Sequence, residues 1–233
     1  MIVKFEYSRK KDVENYVKYV LNPPEWLDQK IVKNISSRIK QEDLERLSAS
    51  KDKPEVYELL EKIVKQAWNN EKDFFEKKIS DLTNTWNERE NGFIKKLEQF
   101  HEKPFLFNTI TVHFTTLPIN PYNIKERWFM VSIRNPIERQ IKTVGHELMH
   151  FIFISQYWNY CIEDLGLSEK QVDMIKEALT VFLNTEFSKW IKVEDKGHER
   201  ESELRDYLLT TKPNASSFPD LLKLVAKNLQ KSA

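Results

Sequence analysis

The chain has 233 residues, 40% hydrophobic and 31% charged, a balance that suits one large globular domain or a domain with a helical extension. Its formal net charge of +1 gives no electrostatic reason to expect nucleic acid or an anionic membrane as partner. The single cysteine, Cys161, excludes an internal disulfide framework and reads as a small buried hydrophobe. No apolar run approaches the ~18 residues of a membrane span, and the start, Met1 to Tyr7, does not read as a signal peptide, so the expected setting is cytoplasmic.

Only 4 glycines are present, so tight turns are scarce and helices should dominate. Residues 1–7 alternate apolar positions as a short strand does. Residues 11–21 carry Val13, Val17 and Val20 or Leu21 at helical spacing, until Pro23-Pro24 breaks the pattern. One or two further helices, with Ile31, Ile35 and Ile39 in line, run to about Leu47. Pro54 opens a long helical stretch to about Gln99, and the low-propensity residues Asp81, Thr83, Asn84 and Thr85 predict a division into two helices there. Its many charges read as a solvated face, with a partner-binding coiled coil as the lesser alternative.

Pro104 ends this helical half. Residues 105–117 and 128–134 read as two strands, the first alternating so that His113 falls on its polar side. Both strands run towards the following helix, and the edge of either could hold an extended peptide by backbone pairing.

That helix carries the chemistry. Asn135 suits the N-cap, Pro136 the first helical position and Glu138 the third. Ile137, Ile141, Val144, Leu148 and Ile152 form an apolar stripe, turned about half a circle from His146 and His150. Phe153 and Tyr157 make the far face apolar too, so the helix should be buried under a cleft. Within it, His146-Glu147-Leu148-Met149-His150 has the form H-E-x-x-H. Two histidines four apart share one helix face and can reach one zinc ion, with Glu147 beside them as general base for the attacking water.

A catalytic zinc takes three protein ligands and keeps one position open. Downstream, Ser168 and Gln171 form a capping box for a helix from Glu169 to about Glu186, striped by Val172, Ile175, Leu179 and Phe182. Glu177 lies off that stripe but between Met174 and Val181, where a carboxylate should be paired or metal-bound. It is the leading third ligand. His198, in a charged segment, is the main rival, followed by Glu163, Asp164 and Asp173. A carboxylate bonded to a ligating imidazole is expected as well, and Asp173 or Asp164 could serve. Tyr157, Tyr160, His198 and Tyr207 are candidates for steadying an oxyanion. The chain ends in two more helices, one carrying Leu204, Tyr207, Leu208 and Leu209, the other Leu221, Leu222, Leu224, Val225 and Leu229.

With His146-Glu147-Leu148-Met149-His150 followed by Glu177-Ala178-Leu179-Thr180, residues 105–187 resemble a zincin metallopeptidase, and within that group a divergent gluzincin. The resemblance implies His146, His150 and Glu177 as zinc ligands and Glu147 as general base. Thermolysin-like enzymes place Asn just before the ligand Glu and Asp four after it, where this chain has Lys176 and Val181. No G-x-x-H follows His150, which speaks against a metzincin.

The expected fold class is α+β and predominantly helical, zincin-like, with a small sheet packed on the H-E-x-x-H helix. The expected domains are residues 1–104, mainly helical with a short first strand, and 105–233, a zincin-like catalytic region with C-terminal helices. The expected function is zinc-dependent hydrolysis of peptide bonds in a peptide or protein substrate. The alternatives are a regulatory protease that cuts one protein partner, or a non-catalytic helical interaction protein whose metal is structural or absent.

Overall fold

A computed structural model describes residues 1–24, 27, 29–37, 39–49 and 53–231. The elements in chain order are β1 (Ile2–Glu6), α1 (Arg9–Tyr16), α2 (Gln29–Ser36), α3 (Gln41–Ala49), α4 (Lys53–Asn70), α5 (Lys72–His101), β2 (Thr109–Thr115), β3 (Tyr122–Asn123), β4 (Trp128–Ser132), α6 (Ile137–Asn159), α7 (Glu169–Leu179), α8 (Ser202–Thr211) and α9 (Phe218–Lys231). The class is α+β, mostly helical, as the composition suggested. Among the described residues, no helix is long and apolar enough to cross a membrane.

The chain divides into two compact units that interleave in sequence. One, the sheet unit, is Val3–Asn84 with Ile110–Gln140; the other, the helical unit, is Met1–Ile2 with Thr85–Thr109 and Ile141–Ala233. This differs from the expected boundary between 104 and 105. The reason is that β2 and β4 join the sheet begun by β1, so the strands go with the first elements of the chain, while the second half of α5 goes with the last.

In the sheet unit the strand order is β1-β2-β4-β3. β2 and β4 run parallel, with His113 opposite Met130, and β3 pairs antiparallel with β4. The two strands expected to offer an edge are therefore both internal. β4 is covered on its far side, where Met130 N–H donates to the Pro121 carbonyl and Ser132 N–H to Asn120 Oδ1. His113 is also not a surface residue: it is buried, 3.4 Å from the Glu6 carboxylate, because this part of β2 is covered on both faces.

Helix α1 is tied to the end of β2 by a buried polar network. Asp12 accepts from Thr115 Oγ1 at 2.6 Å and from Thr116 Oγ1 at 2.9 Å, and Asn15 donates to Thr115 Oγ1 at 2.8 Å. Burial pushes the Asp12 carboxyl up to about 6, against the pull of these hydrogen bonds. The apolar core of this unit joins Val13, Tyr16 and Tyr19 to Ile35, Leu60 and Val64.

The expected break at residues 81–85 does not occur. α4 and α5 divide at Glu71 instead, and α5 runs unbroken through Asp81–Thr85. Two local bonds offset the poor propensity there: Lys77 pairs with Asp81 at 2.6 Å, and Thr83 Oγ1 donates back to the Ile79 carbonyl.

The helical unit is built around α6, which starts at Ile137, one residue later than expected, its first turn belonging to the sheet unit. Ile141, Val144, Leu148 and Ile152 are fully buried, and so are Met149, Phe151 and Phe153. A helix apolar on most sides must be enclosed. Gly145 permits the enclosure: a Cβ there would stand 2.9 Å from Ile191 Cδ1 and 3.1 Å from Phe93 Cζ. Cys161 is buried and unpaired, its thiol pushed up to about 12 by burial, an inert packing residue as expected. The Ser168–Gln171 capping box starts α7 as predicted.

His101 lies fully buried against Phe100 and Phe218, its Nδ1–H donating to the Leu97 carbonyl at 2.9 Å. Burial pushes its pKa down from 6.5 to about 4. The folded state thus holds the neutral ring, and the unfolded chain binds the extra proton between these values. Its contribution is complete above pH 6.5 and is lost as pH falls through 4, by about 3 kcal/mol in total. The stability difference between wild type and His101→Gln, measured by urea unfolding, should shrink by roughly that amount from pH 7 to pH 4. A pH-independent difference would refute the assignment.

Candidate metal centre

Helices α6 and α7 supply the site, and all its residues lie in the helical unit. His146 and His150 stand one turn apart on α6, their rings 4.3 Å apart between centroids. Glu177 on α7 turns its Oε2 to both: 3.4 Å from His150 Nε2 and 3.7 Å from His146 Nε2. One ligand atom from each of the three residues lies within 4.8 Å of the others. Donors bound at 2.0–2.1 Å to a tetrahedral zinc stand about 3.3 Å apart, so the glutamate-to-histidine spacings are near those of a ligand set. Two imidazole nitrogens and one carboxylate oxygen are also a known donor set for catalytic zinc. Among the described residues, no fourth His, Cys, Asp or Glu belongs to the group.

Burial gives the site a closed and an open side. The His150 side chain is 2% exposed, whereas His146 keeps 19% and Glu177 14%. Access is therefore from the His146–Glu177 side.

Two of the three groups, Glu177 and His146, are each held by a further partner. Lys176, 4% exposed, places its Nζ 2.9 Å from Glu177 Oε1 and 2.7 Å from Asp173 Oδ1. One glutamate oxygen is thus taken by the lysine and the other faces the rings. Burial alone would raise the Glu177 carboxyl; its bonds to His146 and His150, with the Lys176 charge, hold it well below the usual range. On the other side, His146 Nδ1–H donates to Asp195 Oδ2 at 2.9 Å. This orients the ring and leaves Nε2 facing Glu177. Burial would lower the His146 pKa, but the Asp195 and Glu177 carboxylates raise it to about 10. His150 has no such excess of anions, and burial takes it down to about 4.

Asp195 is buried in its own cradle. Its N–H donates to Asn184 Oδ1 at 2.7 Å, its carbonyl accepts from Asn184 Nδ2 at 2.9 Å and from Arg205, and Lys142 Nζ lies 3.3 Å from Oδ2. Thr180 Oγ1 and Gly197 N–H each lie 3.1 Å from Oδ1. Gly197 has φ +62, and a Cβ there would meet Arg205 Nη1 at 2.6 Å, so only glycine closes this loop over the arginine.

Glu147 is 7% exposed, and its Oε2 is buried with no hydrogen-bond partner among the described residues. Burial pushes its carboxyl up to about 7, the His146 charge opposes this, and Glu177 adds to it.

The rival residues do not join the group. His198, Glu163 and Asp164 are exposed, and Asp173 pairs with Lys176 at the rim. Asp195, not Asp173 or Asp164, orients His146. Sequence reasoning missed it because it lies 49 residues from its partner in a charged segment; the turn-like Asp195-Lys196-Gly197 was the available signal. Of the oxyanion candidates, Tyr157 donates its hydroxyl to the His101 carbonyl and Tyr207 to the Leu224 carbonyl. No protein-family model, curated protein or solved structure matches the chain.

Removing the partners should loosen the site without removing a ligand. Asp195→Ala and Lys176→Met should each lower the affinity for added zinc by about 10–100-fold, read by chelator competition. Unchanged affinity in both would show that neither residue positions a ligand.

Proposed function

We propose that this chain is a zinc-dependent metallopeptidase of zincin type, gluzincin-like in its donor set. The observation that carries the reading is the approach of Glu177 Oε2 to both histidine Nε2 atoms at 3.4 and 3.7 Å. His146, His150 and Glu177 would hold the ion. Zinc bound there supplies Lewis acidity, polarising a carbonyl and making water a competent nucleophile near neutral pH.

The chain's own residues do the rest. Glu147, next to the first ligand, accepts the proton of the attacking water at its unpartnered Oε2 and passes it to the leaving amine. Asp195 orients His146 so that it offers Nε2. Lys176 holds the second oxygen of Glu177 and so favours a single bond from that carboxylate. A structural metal would call for a fourth protein ligand, and the three-membered group supports a catalytic site over that alternative.

Metal analysis of the purified chain should find one zinc per molecule, lost in Glu177→Ala. Glu147→Gln should keep the zinc and cut hydrolysis of casein or a peptide library by at least about 10²–10⁴-fold. A chain that folds and takes up no zinc ends the metallopeptidase reading. Full turnover in Glu147→Gln ends only the base assignment.

A further inference from the structure

The sheet unit holds a cavity of about 400 Å³ that the metal chemistry does not involve, lined by Tyr7, Arg9, Lys65, Trp68, Asn69 and Lys72. Three of the six are cations and none is an acid, in a chain with 36 Asp and Glu. Every polar side chain on this wall can donate a hydrogen bond, and no carboxylate is there to receive one. The adjoining cleft, which shares Arg9 and Lys65, is different: it sets Glu55, Glu58 and Glu61 against Arg9, Arg46, Lys62 and Lys65.

Among the described residues, Arg9 and Lys65 have no ion-pair partner, and Lys72 has only Glu76, at 3.6 Å and well exposed. Such an exposed pair contributes little. Tyr7 offers this cavity its ring, since its hydroxyl is buried. The wall behind these groups is stiff, because Tyr7 and Trp68 stack at 3.6 Å between centroids and 11° from parallel.

We infer that this cavity binds a small organic phosphate, with the phosphate between Arg9, Lys65 and Lys72 and the organic part along the Tyr7–Trp68 wall. A guanidinium beside ammonium groups matches a phosphate's oxygens in charge and in donor geometry. The volume lies in the range of small-molecule sites and exceeds the need of a lone ion. Asn69 adds an uncharged donor for a neighbouring oxygen. The assignment is independent of the proposed peptidase site.

Calorimetric titration of the full chain with phenyl phosphate, inorganic phosphate and phenol at low ionic strength tests it. Phenyl phosphate should bind one per chain, inorganic phosphate more weakly and phenol not at all. Arg9→Ala and Lys65→Ala should each weaken phenyl phosphate binding about tenfold, the loss of one charge-assisted contact. Lys95→Ala, an exposed lysine of the helical unit, should leave it unchanged. Circular dichroism of the variants checks that they fold. The inference is overturned if phenyl phosphate shows no saturable binding into the millimolar range. It is equally overturned if Lys95→Ala weakens binding as much as Lys65→Ala, or if phenol binds as well as its phosphate.

Discussion

An ionised carboxylate lodged between two helix imidazoles is the constraint on which the site depends. Glu177 loses most of its water, and burial alone would neutralise it. It stays charged because three groups face it: the two Nε2 atoms and Lys176 Nζ. Removing any one leaves a buried charge with less compensation, which generally costs more than the contact itself contributed. The same principle extends outward. Asp195 divides its two oxygens, Oδ2 to His146 and Lys142, Oδ1 to Thr180, Gly197 and Arg205. The cluster is one connected set of charges, and each side chain's rotamer is fixed by the next.

Rigidity comes from where these residues sit. The two histidines ride on a helix enclosed on most faces, packed closely at Gly145 against Phe93 and Ile191. Glu177 lies near the C-terminal end of α7, whose start is fixed by a capping box and whose Val172, Ile175 and Leu179 are buried. Only Asp195 comes from irregular chain, and there the backbone is pinned on both sides by Asn184 and Arg205. A loop residue held this tightly can position an imidazole as well as a helix residue could.

The legible parts of the sequence were those written in near neighbours. The H-E-x-x-H spacing, the stripe of α6 and the Ser168–Gln171 box each need only residues within a turn or two, and each appears in the structure. Glu177 could be picked out because a polar residue between Met174 and Val181 breaks an otherwise apolar surface. What failed was non-local. The order β1-β2-β4-β3 is set by pairings that no alternation pattern specifies, so internal strands were taken for edges. His113 was placed outside by alternation alone, which presumes one wet face that β2 does not have there. The helix through Asp81–Thr85 persists although propensity disfavours it, with Leu82 among the weak residues and Trp86 just after them fully buried. Asp195 had no local pattern at all, only a partner far away in the chain.

The division of labour at Glu177 has a further consequence for the proposed chemistry. A carboxylate with both oxygens free can bind a cation through two atoms and fill two coordination positions. Here Oε1 belongs to Lys176, so the carboxylate presents Oε2 alone. With one atom from each of three side chains, a tetrahedral ion keeps one position for water or substrate. Lys176, where the thermolysin-like pattern has an amide, would thus leave three protein donors to a bound ion. His146 and Glu177 retain the site's exposure, and the 2%-exposed His150 closes its back, so a substrate would approach from the first side. A buried Glu147 with an unpartnered Oε2 beside these residues costs the fold something, and a role as proton carrier would account for it.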